Sequence, residues 1–199
     1  MRSPWAREYA RRPNEYIWGT APSTFAGAVR AHLWPGFRVL DLGCGEGRDS
    51  VFFAGLGCAV TGVDISRAGL RKAERLARER GVTVRWVQDD LAHLTVTGRF
   101  DLVYSCGSIH YVPRPARGRL FARLRALTRA GGHHAHLVFS DRVIYVEKGE
   151  TIDYFVPGEL QRSYADWLLL ASKEETIACE QDGTPHRHSV EHLIARAPR

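Results

Sequence analysis

Asp41, Gly43, Gly45 and Gly47 stand at alternate positions in Val39-Leu40-Asp41-Leu42-Gly43-Cys44-Gly45-Glu46-Gly47. A carboxylate and three glycines, placed between an apolar run and a helical pattern, have the makings of a ligand-binding turn. Glycine tolerates positive φ, and its missing Cβ lets a ligand approach the backbone. The helix behind the turn would offer unpaired N–H groups. A dinucleotide turn would read G-x-G-x-x-G. Gly43 and Gly45 fit that spacing, but Arg48 occupies the third glycine position. Asp41 would also repel a pyrophosphate. A cofactor carrying positive charge would be held instead.

Further candidates follow in chain order. Asp64, with Ile65 behind it, closes an apolar run about twenty residues past the first glycine, where a carboxylate accepts two hydrogen bonds from a ribose diol. That position suits an adenosyl and an NAD site equally. Asp89, Asp90 and Leu91 follow a third apolar run, where a turn carboxylate capping a helix is the plain reading. A fourth run leads into Cys106, His110 and Tyr111. His110 and Tyr111 are candidate bases for an acceptor that must lose a proton; a packed or capping role is the alternative for His110. Trp5, Tyr9, Tyr16 and Trp18 make the first twenty residues too aromatic for a disordered tail. Tyr16 or Trp18 could lay an aromatic face over a cationic cofactor, and Tyr16 could also touch the substrate. Arg142, in Ser140-Asp141-Arg142, is a second substrate candidate. His133, His134 and His136 lack a nearby acidic partner, so no metal site is expected there.

The elements that would position these residues alternate between strand and helix. Phe37–Leu40 reads as a buried strand and Arg48–Leu56 as a helix ended by Gly55 and Gly57. Ala59–Asp64 is a second strand, and Ser66 caps a helix reaching about Arg80. Val82–Val87 and Arg99–Ser105 are strands three and four. Pro115–Ala130 is an amphipathic helix with arginines 117, 119, 123, 125 and 129 on its solvated face, ended by Gly131-Gly132. His134–Ser140 is the fifth strand. Residues 143–156 read as a loop, followed by a short helix to about Trp167. Leu168–Ala178 and His188–Ala195 then form two strands around an Asp182-Gly183 turn. Upstream, Ser23 caps a helix over Thr24–Leu33, ended by Pro35-Gly36. The expected architecture is a single α/β domain over residues 1–199, a Rossmann-like doubly wound sheet that is mostly parallel, with a C-terminal antiparallel hairpin. Residues 1–35 would form a helical cover, 36–140 the cofactor-binding core, and 141–199 a substrate cover with the closing strands.

Composition bounds the partners. At 199 residues the chain can bury a real core, and its 44% hydrophobic and 10% aromatic content is that of a globular protein. No run of about eighteen apolar residues is available to span a membrane. Arg2 and Arg7 lead no apolar stretch, so a secretory signal is not expected. The cysteines (Cys44, Cys58, Cys106, Cys179) show no C-x-x-C spacing, which suggests reduced thiols in a cytoplasmic protein without structural zinc. The net charge of +6 raises the question of nucleic acid. The arginines on one helix face answer it, because they read as ordinary solvation, and no recognition appendage is visible.

Asp41-x-Gly43-x-Gly45-x-Gly47 resembles the first motif of class I methyltransferases that use S-adenosylmethionine, and the likeness extends over about residues 36–195. More narrowly, Tyr16-Ile17-Trp18-Gly19-Thr20-Ala21-Pro22, Asp41 to Asp49, Gly158-Glu159-Leu160 and Tyr164-x-Asp166-Trp167 resemble the tellurite-resistance and thiopurine-type small-molecule methyltransferases. The resemblance implies S-adenosylmethionine as cofactor and S-adenosylhomocysteine as product. It implies contacts from Trp18, Asp41, the glycine loop with Cys44 and Arg48, Asp64 and Ile65, the Asp89-Asp90-Leu91 turn and Cys106. Asp89 or Asp90 would meet the adenine amino group; Asp41 would meet the amino end of the cofactor or hold the loop. The acceptor would be small: tellurite, selenite, a thiol or another small metabolite. A nucleic-acid or protein methyltransferase is the alternative, and a nucleotide-dependent oxidoreductase a weaker one that Arg48 argues against.

Overall fold

The computed structural model describes residues 4–146, 149, 152–180 and 183–199. Its centre is a seven-stranded sheet of β1 (Arg38–Leu42), β2 (Ala59–Asp64), β3 (Arg85–Gln88), β4 (Phe100–Cys106), β5 (Thr128–Ser140), β6 (Leu168–Cys179) and β7 (His186–Arg196). The spatial order is β3-β2-β1-β4-β5-β7-β6. The first five strands are parallel, while β7 runs antiparallel to both β5 and β6. Strand order reverses between β1 and β4, and such a reversal leaves a crevice at the carboxyl ends of the two strands.

Both faces of the sheet are covered. Alternation along the strands sends Leu40, Leu42 and Val103 to one side, and Val39, Leu102 and Tyr104 to the other. On the first side they meet Leu120, Phe121, Leu124 and Leu127 of α5 (Arg114–Leu127). On the second they meet Phe53 of α3 (Arg48–Gly55) and Phe25, Ala26 and Val29 of α2 (Thr24–Val29). Ser23 caps α2 by accepting from Ala26 N, and Ser66 caps α4 (Arg67–Glu79) by accepting from Gly69 N. The first described element is α1 (Pro4–Arg11), which lies against α4.

Several sequence expectations need correcting. The amphipathic helix ends at Leu127, and Gly131-Gly132 lies inside β5. Gly131 takes φ +70°, and pairing with β4 shifts register just here. These glycines therefore bend a strand; they do not stop a helix. The helix after Pro157 is the four-residue α6 (Glu159–Arg162). The expected helix over 24–33 becomes a 3₁₀ turn at Arg30–His32. Arg117 is buried, not solvated, with Glu159 at 2.9 Å and the carbonyls of Val112 and His110 as acceptors. The segment carrying Phe155 and Glu159 crosses over α5 there, which the helix's own periodicity cannot report. Of the expected Asp182-Gly183 turn, Asp182 lies outside the described residues.

Candidate active site

A cavity of about 460 Å³ opens at the strand-order reversal, between the ends of β1, β2 and β4. Its acidic wall is built by the glycine turn. Gly45 N donates to Asp64 Oδ2 at 2.8 Å, and Ser66 N to Oδ1 at 2.7 Å. One carboxylate at the end of β2 thus fixes both the turn and the start of α4. Burial raises the Asp64 pKa, and the two amides act against that. Asp41 on β1, opposite Gly62 and so two residues below Asp64, accepts from Ser50 Oγ at 2.6 Å. Burial, with the Asp49 carboxylate nearby, pushes Asp41 up to about 8. Asp49 itself takes hydrogen bonds from Ser23 N, Ser23 Oγ and the Tyr104 hydroxyl, at 2.7 to 2.8 Å.

The cover comes from the N-terminal segment. Glu46 accepts from the backbone N–H groups of Ile17 and Trp18 and pairs with buried Lys72 at 2.6 Å. Arg48 donates to the Trp18 carbonyl at 2.9 Å. Trp18 Nε1 donates to Tyr9 Oη at 3.1 Å, and Trp5 Nε1 to Tyr111 Oη at 2.7 Å. These contacts explain the glycines. A Cβ on Gly45 would lie 2.8 Å from the Tyr9 hydroxyl, and one on Gly43 would overlap Ser108. The missing side chains make room for the protein's own cover as well as for any ligand. The other end of the cavity is apolar and aromatic, with Phe25, Leu137, Phe139, Ile177 and Tyr111 beside Cys106. Burial, then Asp49, pushes the Cys106 thiol up to about 12.

Residues 39–132 match the methyltransferase domain family. Those residues carry a methyltransferase domain. The domain's structural likeness is broad. TehB from Haemophilus influenzae superposes with a TM-score of 0.80 at 20% identity, covering 97% of this chain and 67% of that one. This neighbour agrees with the tellurite-resistance likeness at the level of the fold. The 1,6-didemethyltoxoflavin-N1-methyltransferase of Burkholderia thailandensis, solved with bound 1,6-didemethyltoxoflavin and S-adenosylhomocysteine, gives 0.74 at 25% identity over 98% of this chain and 86% of that chain. A ubiquinone biosynthesis O-methyltransferase of Burkholderia lata is 36% identical over 106 residues, 52% of this chain and 44% of that protein. The chain spans about half the length of the curated relatives it matches.

S-adenosylmethionine is the cofactor of this domain class, and the methyltransferase cavity suits it. Asp49, Asp64 and Asp90 line the cavity against Arg48 alone among its basic side chains, while Lys72 offsets Glu46 and Asp41 holds a proton that a bound cation can displace. That balance favours a ligand with a sulfonium and an ammonium group over a pyrophosphate. Trp18, Gly43, Cys44, Gly45, Ile65 and Leu91 line the same space, with Cys106 and Tyr111 toward the aromatic end.

Five candidates lie elsewhere. Gly47 packs against Ala73 and Trp86. Asp89 turns away to accept from Asp90 N, Thr95 N and Thr95 Oγ1, so of the two acids Asp90 faces the cavity. Tyr16 donates to the Lys72 carbonyl and accepts from Arg75, outside the cavity. Arg142 pairs with Glu174 at 3.1 Å on the surface. His110 is fully buried, stacked on Phe139 at 4.3 Å between ring centroids, and burial keeps it neutral. It supports the wall without reaching the cavity. His134 and His136 both hydrogen-bond the Tyr164 hydroxyl, with Thr128 and Ser105 as their other partners. That network closes inside the core, with both ring nitrogens of each histidine engaged. The sequence reading passed over Glu46 and Asp49 as site residues. Each sits in or beside the glycine motif, but its role is set by a partner far along the chain.

Proposed function

We propose that this protein transfers a methyl group from S-adenosylmethionine to a small-molecule acceptor. The observation that carries the reading is one continuous cavity, acidic where the glycine turn lies and aromatic at its far end, roofed by Trp5, Tyr9 and Trp18. A roof of that kind favours a small acceptor over a polymer. The basic residues of α5 point the same way, since Arg117, Arg123 and Arg125 are engaged within the protein. The Burkholderia relatives, named for methylation of small molecules, agree in chemistry.

Asp64 would hold the ribose hydroxyls, Asp90 the adenine end, and Asp41 the amino group. When bound, the cofactor supplies an electrophilic methyl on a sulfonium. The chain's part is to position the acceptor and exclude water, which suffices for so reactive a methyl. Among the described residues no histidine lines the cavity, and the Cys106 thiol stays protonated. Tyr111, one of the two candidate bases expected from sequence, lines the aromatic end and accepts from Trp5 Nε1. This arrangement suits an acceptor that arrives with its own nucleophilic lone pair, such as tellurite, selenite or a thiolate, which needs no base.

Calorimetric titration with S-adenosylhomocysteine, with NAD run in parallel, tests the cofactor. Binding of the first and not the second is expected; NAD binding alone would overturn the proposal. Labelled-methyl transfer to tellurite, selenite, thiols and small hydroxylated or amino metabolites then identifies the acceptor.

A further inference from the structure

The β6–β7 hairpin brings together side chains that the methyl-transfer reading leaves unused. Its register sets Cys179 directly opposite His186, and His188 opposite Ile177. Successive alternate residues share a strand face, so Cys179, His186 and His188 converge. Cys179 Sγ and one nitrogen from each ring lie within 4.8 Å of one another. We propose that these three side chains bind a metal ion of the borderline class, zinc(II) in particular.

The donor set is the first argument. One thiolate and two imidazoles are ligands that zinc favours, and three protein ligands leave a fourth position for water or another small ligand. The orientation of the rings is the second. His186 Nδ1 lies 2.7 Å from the Thr184 carbonyl oxygen, a contact that places the ring proton on Nδ1. The Nε2 lone pair of His186 then faces His188 Nε2 at 2.8 Å. Without metal, His188 supplies the proton between the two nitrogens; a cation between them replaces it. Two nitrogens on a tetrahedral zinc lie about 3.3 Å apart, so the rings need to part by about half an ångström. The sulfur needs to move in by at most about 1.3 Å. Tyr145 stacks on His186 with ring centroids 3.6 Å apart and holds that ring in place.

Binding balances simply. The Cys179 thiol gives one proton to solvent, and the His188 proton moves from Nε2 to Nδ1. No redox step is involved. The ion would sit one layer behind the aromatic end of the cavity, because Phe139 stacks on His188 at 4.1 Å and both Phe139 and Ile177 line the cavity. The site itself does not depend on methyl transfer.

The test is titration of the metal-free 199-residue chain with cobalt(II), followed by visible and near-ultraviolet absorption. One equivalent should give tetrahedral d–d bands and a thiolate-to-cobalt charge-transfer band, both erased by one equivalent of zinc. Cys179→Ser should lose the charge-transfer band. His186→Gln should bind zinc at least about a hundredfold more weakly. Each variant should still bind S-adenosylhomocysteine, which shows that it is folded and separates this proposal from the cofactor assignment. A wild-type spectrum of octahedral aquo-cobalt would overturn the proposal, as would spectra unchanged in both variants.

Discussion

The two ends of the cavity are built by different rules. The acidic end is local, since Asp41, the glycine turn, Asp49 and Asp64 come from one strand–turn–helix–strand stretch. They hold one another through short hydrogen bonds. The aromatic end is assembled from α1, the segment after β4, β5 and β6, with Trp5 and Tyr111 meeting from 106 residues apart. On the proposed function, substitutions at the aromatic end should change acceptor choice while the glycine turn keeps its geometry.

The largest effect is expected at the bond joining the cover to the acidic end. Glu46→Gln would leave the Lys72 ammonium buried without its counter-charge, as both side chains are almost wholly inaccessible. A loss of about 3–5 kcal/mol in urea unfolding is expected. A loss under about 1 kcal/mol would mean that Lys72 escapes to solvent.

Asp64→Ala is next. It removes the acceptor for Gly45 and Ser66 and the proposed ribose contact. Affinity for S-adenosylhomocysteine should fall at least about a hundredfold, as expected for two hydrogen bonds to a charged group. Near-normal binding by a variant with an unchanged circular dichroism spectrum would sink the assignment.

A pH experiment sharpens the electrostatics. Folded Asp41 keeps its proton up to about pH 8, whereas the unfolded chain releases it near 3.8. Between those values the folded state binds the extra proton, so this group makes ligand-free stability fall as pH rises. The buried histidines act oppositely, their lowered folded values making stability rise through the ordinary histidine range. Asp41→Asn isolates the carboxylate: its stability should decline less with pH than the wild type's. An ammonium group bound at Asp41 should also expel the proton, so binding heats near pH 7 should differ between buffers of different ionisation enthalpy. Heats independent of buffer would place the ammonium elsewhere.

The smallest effect belongs to the aromatic end. Tyr111→Phe removes the acceptor for Trp5 Nε1 and should cost about 1 kcal/mol in holding the cover, read as a modest rise in KM for the acceptor. A hundredfold fall in kcat with KM unchanged would instead make Tyr111 a proton acceptor.

Much of the core was legible in the sequence. Asp41-x-Gly43-x-Gly45-x-Gly47, Asp64 and the alternation of apolar runs specify the strand–helix alternation and the acidic end, because the partners there lie within a few tens of residues and each turn needs particular backbone angles. Arg117 and His110 were less legible. Helical phase put Arg117 toward solvent, but the chain returning through Phe155 and Glu159 covers it. Position alone put His110 at the strand end, but its ring turns into the core against Phe139. Long-range packing also decided between Asp89 and Asp90, placed Trp5 and Tyr9 over the glycine turn, and set Cys179 against His186 and His188. The sequence by itself determined the fold and the cofactor end, where chemistry and backbone conformation are coupled along the chain. Tertiary structure alone decided the cover, the acceptor end and the hairpin cluster, where distant side chains meet and no spacing records the meeting.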